Sequence, residues 1–458
     1  MEVVMALRVV DPSTGKVIDI VAEHTSEQVE QRLATSYRAW QSWRRTSFSH
    51  RAQIVGRIAD LLEERCDAYA VTMVRQMGKP IVEAMAEVRK CAWVCRYYAE
   101  NAEKMLSTEL AVSDAGRSEI RHDPLGVVLA IMPWNFPLWQ ALRFGAPALM
   151  AGNALLIKHA PSTPGVARDL EQLLVDAGVP PGLVPALYVD NQATGELIAD
   201  PRVAAVTLTG STRAGSAVAT QCGRHLKPCV LELGGSDPFI VLDDADVAAA
   251  AHAGAFSRLL NCGQSCIAAK RFIVVESVAD LFIGALGEAL AAAVQGDPMD
   301  PDTTLGPMAR DDLRRELDSQ VRRSVEGGAV CVQGGQVPFG EGYFYPATLL
   351  TGVLPGMPAW DDELFGPVAA VRVVADADAA LKAANDSIYG LSSSVWTEDD
   401  RVAKRFIEEI DAGAVFINGM SKSDPRLPFG GIKRSGWGRE LGRDGILEFV
   451  NRKTVWVR

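Results

Sequence analysis

A cysteine in a loop of small and polar residues is the group in this chain best suited to nucleophilic chemistry. The segment Asn261-Cys-Gly-Gln-Ser-Cys266 puts a glycine and two polar residues directly before Cys266, which opens an apolar stretch. A glycine lets backbone approach a substrate closely. A thiolate among backbone N–H groups can be activated without a histidine. No Cys/His dyad is readable, which disfavours a papain-like protease. Taken alone the signal is weak, because a free cysteine most often serves as a small buried hydrophobe. Cys262, four residues earlier, reads as a packing or loop residue. If the loop is flexible, Cys262 and Cys266 could close a disulfide under oxidants, since helical i,i+4 spacing would hold their Cα atoms about 6 Å apart.

Four other segments carry groups that such a nucleophile would need. Val230-Leu-Glu-Leu-Gly-Gly235 ends an apolar strand on Glu232, where burial would raise the carboxyl pKa and suit it to act as a general base. A structural carboxylate bound to backbone amides is the alternative. Pro133-Trp-Asn-Phe-Pro137 fixes Asn135 between two prolines, where its amide could donate to a developing oxyanion or bond its own turn. Thr209-Gly-Ser-Thr-Arg-Ala-Gly215 follows a strand and opens a helix, an arrangement that binds phosphate or merely caps the helix. It lacks the Lys-Ser/Thr of a P-loop and is not a Gly-x-Gly-x-x-Gly fingerprint. Lys158 ends a further strand, where it could meet a ribose hydroxyl or a phosphate, or snorkel to the surface.

The elements that must position these groups follow from the hydrophobic pattern. Residues 26 to 105 read as helical; Arg51 to Cys66 puts Ile54, Ile58, Leu61 and Leu62 on one face. Short apolar runs then alternate with turns and helical stretches: Leu125–Ile131, Ala154–Lys158, Ala186–Val189, Ala204–Thr209 and Val230–Leu233 in one group. Phe239–Leu242, Phe272–Val275, Ala370–Val374 and Ala414–Asn418 form a second. Strand–helix alternation predicts an α/β chain with parallel sheets covered on both faces. Two such sheets account for the 458 residues, and ligands are expected at the strand ends. Ser113 to Asp123 is polar and reads as an excursion from the sheets. The alternating Phe449–Val457 reads as a terminal strand whose open edge would pair with a partner subunit.

Composition narrows the function further. A net charge of -11 argues against a nucleic-acid surface, which needs clustered Lys and Arg, and weakly against anionic membranes. Eight scattered cysteines suit reduced thiols in a cytoplasmic protein. Six dispersed histidines with no His-x-x-x-His leave no readable metal site. The apolar run from Gly145 to Ile157 is broken by Pro147, Gly152 and Asn153 and is too short to span a bilayer. The N-terminus has no signal-peptide pattern.

The ordered set Pro133–Pro137, Lys158, Gly210–Gly215, Glu232–Gly235, Gly263–Cys266 and Glu363–Pro367 resembles the aldehyde dehydrogenase superfamily across nearly the whole chain. Six modest motifs in the family's order are far more specific than any one. The resemblance implies a two-domain, doubly wound α/β fold with a small oligomerisation flap. Residues 1–105 and 125–232 would form the dinucleotide-binding domain, with 430–443 returning to it. Residues 233–429 would form the catalytic domain, and 106–124 with 444–458 the oligomerisation segment of a homodimer or homotetramer. It implies Cys266 as nucleophile, Glu232 as the base that activates water and Asn135 as oxyanion donor. It implies Lys158, Ser211 with Gly210 and Gly215, Glu363, Trp134, Leu233 and Phe365 around the cofactor.

Within that superfamily the chain is similar to the short bacterial succinate-semialdehyde dehydrogenases, through Met132–Gln140, Lys158-His-Ala, Gly234–Phe239 and Asn418–Pro425. A small carboxylated aldehyde needs a cation in its pocket. Arg143, two turns past Asn135 on a helix starting near Pro137, could bind the carboxylate in a bidentate pair or make an interhelix salt bridge. Ser423 or the nearby Ser421 would add a hydroxyl, and Trp139 an apolar wall. Many relatives that select NAD carry a glutamate where this chain has Pro161. The expectation is therefore NAD, with NADP accepted through Lys158 and Ser162. Glutarate semialdehyde is an alternative substrate. The rival readings are acyl transfer to coenzyme A, disfavoured by Glu232, and a non-catalytic protein on the same fold.

Overall fold

The computed structural model describes residues 6–458. It begins with a hairpin, β1 (Ala6–Asp11) and β2 (Lys16–Ala22), followed by four helices: α1 (Ser26–Trp43), α2 (Phe48–Glu64), α3 (Cys66–Met77) and α4 (Ile81–Met105). The expected face of α2 is buried, with Ile54, Ile58, Leu61 and Leu62 packed inward. The helices break at sites the residues dictate: Gly78 turns left-handed after α3 with φ 82°, and Pro80 precedes α4.

The next strands, β3 (Glu109–Ala111) and β4 (Arg117–Pro124), stand apart from the main sheets. The first large sheet is built from β5 (Val127–Ile131), α5 (Pro137–Ala151), β6 (Ala154–Lys158), α6 (Pro164–Asp176), β7 (Ala186–Leu187), α7 (Asn191–Ala199), β8 (Val203–Thr209), α8 (Thr212–Arg224) and β9 (Cys229–Glu232). From β5 the chain moves outward through β6 to β7, then crosses back to place β8 and β9 on the other side of β5. That reversal makes a crevice at the carboxyl ends of β5 and β8. The segments around Asn135 and Ser211 begin there.

The second sheet has seven strands: β10 (Pro238–Val241), β11 (Arg271–Val275), β12 (Val330–Gln333), β13 (Thr348–Thr351), β14 (Val368–Val374), β15 (Ser393–Trp396) and β16 (Val415–Ile417). Between them run α9 (Val247–Leu259), α10 (Glu276–Ala291), α11 (Asp311–Glu326), the one-turn α12 (Pro358–Asp361), α13 (Ala377–Asn385) and α14 (Asp400–Glu409). All neighbours are parallel except β12, which joins antiparallel at the edge. The chain then returns to the first sheet. The short β17 (Gly436–Trp437) pairs with β9, α15 (Gly442–Leu447) follows, and β18 (Val450–Val457) pairs along its length with β4.

Three expectations change. The N-terminal hairpin has no counterpart in the sequence reading. The polar segment 113–123 does leave the main sheets, but its second half is a regular strand. The terminal strand spends one edge on β4 of its own chain, so only its outer edge stays open. The strand β15 escaped notice because two of its four residues are serines. Their hydroxyls are met by the carbonyls of Ala414 (3.1 Å) and Gly419 (2.5 Å), which makes a polar strand tolerable in a buried position inside the sheet. Among the described residues, no helix is long and apolar enough to cross a membrane.

Helix α5 is buried on every side and has no cap of its own. Glu87 of α4 supplies one: its Oε1 accepts from the N–H groups of Leu138 (3.0 Å) and Trp139 (2.9 Å). The same carboxylate is ion-paired with Lys79, whose ammonium lies 4.2 Å from the Phe136 ring centroid. Both charged side chains are essentially inaccessible, at 0% and 2% exposure. Removing one partner of such a pair strands the other, at about 3–5 kcal/mol. Glu87→Met should therefore lower the unfolding free energy in urea by that order. The double replacement Glu87→Met with Lys79→Met should lower it by less than Glu87→Met alone.

Candidate active site

The cysteine loop leaves α9 and turns left-handed for three consecutive residues: Asn261 (φ 58°), Cys262 (φ 56°) and Gly263 (φ 73°). Gly263 is required there twice over. Its φ is unfavourable for a side chain, and a Cβ would overlap the backbone of Gly366. That contact seats the Glu363–Pro367 segment against the loop.

A left-handed, buried loop exposes polar groups that must find partners. Glu83 of α4 accepts from the Asn261 N–H at 2.6 Å. Burial pushes the Glu83 carboxyl up to about 7, against the pull of that hydrogen bond and of Lys79. The Asn135 amide donates to the Gln264 carbonyl at 3.0 Å, and Asn261 donates to the carbonyls of Asn135 (2.8 Å) and Gln264 (3.0 Å). Arg258 of α9 donates to the Gly263 carbonyl. Lys270 donates to the carbonyls of Ser265 (2.9 Å) and Cys266 (2.6 Å), and is ion-paired with Glu363 at 3.3 Å. Glu363 in turn accepts from the Gly235 N–H at 3.2 Å.

These bonds point the two cysteines in different directions. Cys262 is fully buried, with its thiol 4.0 Å from the Gly78 carbonyl. Cys266 faces a cavity of about 350 Å³. The helical spacing assumed for a disulfide is absent, because the left-handed turn intervenes, and both thiols are free. Burial pushes the Cys266 thiol up to about 12, opposed by Lys270 and Arg143. The Cys262 thiol is pushed up further, again by burial.

Glu232 is buried at the end of β9, and neither carboxyl oxygen has a hydrogen-bond partner. Burial raises its pKa well above the ordinary range; Arg143 pulls the other way and Glu440 adds to the rise. Arg143 is also buried, but its charge is already met. It is ion-paired with Glu440, donates to the Thr209 hydroxyl at 3.3 Å and packs over Phe429. It lines the cavity with its main anionic partner inside the protein. Ser421 bonds Ser392 at 2.6 Å, whereas Ser423 accepts from Lys90 of α4 at 2.7 Å. Trp139 lines the cavity, with the Lys90 ammonium 4.5 Å from its ring centroid.

Arg258, Lys270 and Glu440 went unmarked in the sequence reading, and so did Lys90 and Glu83. Both lie in an amphipathic helix far from any motif, and charges on such a helix ordinarily read as its solvated face.

The remaining singled-out residues gather at the crevice of the first sheet. Ser211 caps α8 by accepting from the Ala214 N–H at 3.3 Å. A Cβ on Gly215 would collide with the Leu233 side chain, so that helix start and strand end touch closely. Trp134 and Phe365 meet edge to face at 5.8 Å. Lys158 is 7% exposed and, among the described residues, has no ion-pair partner within 4 Å. Pro161 and Ser162 follow it in the turn before α6.

Comparison with known proteins agrees with this architecture. The model of the aldehyde dehydrogenase family matches residues 3–455. A Synechocystis protein named probable succinate-semialdehyde dehydrogenase [NADP(+)] is 48% identical over 99% of this chain and 100% of its own. An Escherichia coli succinate semialdehyde dehydrogenase [NAD(P)+] is 45% identical over 98% and 97%. The crystal structure of succinic semialdehyde dehydrogenase from Streptococcus pyogenes in complex with NADP+ superposes with a TM-score of 0.96 at 36% identity, covering 99% of this chain and 100% of that one.

The different settings of the two thiols give a direct expectation. Iodoacetamide should modify Cys266 in the folded protein, faster as pH rises toward its raised pKa, and leave Cys262 intact. Peptide mass spectrometry reads both positions. Modification of Cys262 at a comparable rate would contradict the described loop.

Proposed function

The chain belongs to the aldehyde dehydrogenase family, and on that premise we propose that it oxidises succinate semialdehyde to succinate through a covalent intermediate on Cys266. The observation that carries the reading is a single cavity lined by the Cys266 thiol together with the cationic side chains of Lys90 and Arg143. That combination suits a small aldehyde with a distal carboxylate. The relatives named for this substrate support it.

In this reading Cys266 loses its proton and attacks the aldehyde carbon, forming a C–S bond and an oxyanion. Asn135 is held by the loop it serves, and its amide, with the Cys266 N–H, stabilises that charge. A donor of this kind contributes about 3 kcal/mol. The bound dinucleotide supplies the oxidising power. The thioester left on Cys266 is opened by a water that Glu232 deprotonates. The C–S bond breaks, the thiol recovers a proton and succinate leaves. Splitting the oxidation into two covalent steps lowers the barrier of each. Glu232 is suited to its part because its unpartnered, buried carboxylate is a stronger base than one in water.

The cofactor would occupy the crevice of the first sheet. Lys158 and Ser162 would hold the adenosine ribose end, with Pro161 in place of a repelling carboxylate. Gly210, Ser211 and Gly215 would meet the phosphates at the start of α8. Trp134, Leu233, Glu363 and Phe365 would line the nicotinamide end. The unpaired Lys158 ammonium fits either NAD or NADP, and the relatives' names add weight to NADP. Residues 1–105, 125–232 and 430–443 would form the dinucleotide-binding domain and 233–429 the catalytic domain. The segments 106–124 and 444–458 would join two copies along the open edge of β18, in a dimer or a tetramer of dimers.

The reading is tested by absorbance at 340 nm with succinate semialdehyde, glutarate semialdehyde, butanal and benzaldehyde, with and without coenzyme A. Succinate semialdehyde should be oxidised best, with no dependence on coenzyme A and no activity in Cys266→Ala. A preference for butanal would overturn the substrate. Burial raises the pKa of both the Cys266 thiol and the Glu232 carboxyl, so kcat/KM for butanal should rise as pH increases and more of each is in its reactive, deprotonated form. Lys158→Ala should lower kcat/KM more for NADP than for NAD, because only NADP brings the extra phosphate charge to the lysine.

A further inference from the structure

Two cysteines away from the Cys266 cavity sit side by side. Cys222 lies in the last turn of α8, and Cys229 opens β9. The chain reverses between them. Leu226 turns left-handed with φ 52°, and the Lys227 N–H donates to the Cys222 carbonyl at 2.9 Å. The two side chains meet in one hydrophobic core, with their thiols in hydrogen-bonding reach of each other. Both thiols are free. Cys222 is buried, whereas Cys229 is half-buried.

The surroundings favour a thiolate on Cys229. The Cys222 S–H can donate to it. So can the indole N–H of Trp437 in β17, which also donates to the Cys229 carbonyl at 2.9 Å. These donors hold the Cys229 thiol below its ordinary pKa, against burial. The contact with Cys229, and then burial, raise that of Cys222, which keeps its proton. Burial raises every other thiol in the chain: Cys66, Cys91, Cys95, Cys262, Cys266 and Cys331. The thiolate is the form that attacks oxidants, so one cysteine is set apart, and a second thiol stands ready beside it.

We propose that Cys222 and Cys229 are an oxidation site, which takes a hydroperoxide and closes into a disulfide before Cys266 is touched. The Cys229 thiolate attacks one peroxide oxygen. An S–O bond forms, the O–O bond breaks, and the leaving hydroxide takes a proton to become water. Cys222 then gives up its proton and attacks the Cys229 sulfur. The S–S bond forms, the S–O bond breaks and a second water leaves. Two thiols have lost two electrons in all, and the peroxide has gained them. The disulfide ties the end of α8, whose start carries Ser211 and Gly215, to the start of β9, whose end carries Glu232.

The test treats the folded protein with hydrogen peroxide, blocks the remaining thiols with iodoacetamide in urea, and digests with trypsin. Cleavage after Arg213, Arg224, Arg258 and Lys270 puts Cys222, Cys229 and the Cys262–Cys266 loop on separate peptides, since Pro228 protects the bond after Lys227. Mass spectrometry should show the Cys222 and Cys229 peptides joined with loss of two hydrogens, and parted by dithiothreitol. The Cys262–Cys266 peptide should still be fully alkylated when half of the pair has closed. In Cys222→Ser the cross-link should vanish and dimedone should label Cys229 as a sulfenic acid. In Cys229→Ser, labelling of Cys222 should be slower by about ten-fold or more, because a protonated thiol is a poor nucleophile. Equal labelling in the two variants overturns the proposal. So does a folded wild type that forms no cross-link in excess peroxide, a disulfide that includes Cys262 or Cys266, or oxidation of Cys266 before the pair is half closed. A cross-link that doubles the mass on a non-reducing gel joins two copies and overturns it as well.

Discussion

Three successive left-handed residues, 261 to 263, are the constraint around which the molecule is arranged. Such a turn is costly for Asn261 and Cys262, and polar groups sent from several elements hold the loop in place. α4 sends Glu83, the loop after β5 sends Asn135, α9 sends Arg258, and Lys270 reaches back from the start of β11. Groups from both sheets and from the N-terminal helices therefore converge on one short loop. Gly263 allows the Glu363–Pro367 segment to close over it from the far side. The two cysteines part company as a result, one into the core and one into the cavity.

The same region sorts its charges. Lys79 is spent on Glu87, Arg143 on Glu440, and Lys270 on Glu363. Other ionisable groups there lack an ion-pair partner. Glu232 has no hydrogen-bond partner, and Lys90 has no carboxylate partner among the described residues. Buried ionisable groups are normally compensated, because an isolated charge in a low dielectric is expensive. Lys90 lines the same cavity as the thiol, and Glu232 is the group assigned as base in the proposed hydrolysis. Stability is built from the paired groups, and the proposed chemistry is assigned to the unpaired ones.

Much of this was legible in the residues. Periodicity gave the strands β5, β6, β8, β10, β11 and β14 within a few residues, and the alternation of strand and helix gave the two parallel sheets. The motifs at Asn135, Lys158, Ser211 and Glu232 are local, so their placement at or just after strand ends followed, whereas Cys266 and Glu363 lie on the loops that precede β11 and β14. What was not legible is long-range. That Glu440 neutralises Arg143 depends on a contact spanning some three hundred positions, and nothing local marks it. Lys90 sits on a helix whose charges look like a solvated face until the loop carrying Ser423 folds over it. The serine-rich β15 hides its nature because its polar side chains are satisfied only by the neighbouring chain segments.

The most direct test of the central claim is to trap the covalent intermediate. Glu232→Gln protein, mixed with succinate semialdehyde and NADP, should accumulate a thioester, because attack by Cys266 is retained and the base for hydrolysis is gone. Intact-protein mass spectrometry should show the gain of one succinyl group, and digestion should place it on the peptide containing Cys266. An unmodified protein during turnover, or a succinyl group carried by Cys262 or any other residue, would contradict the account.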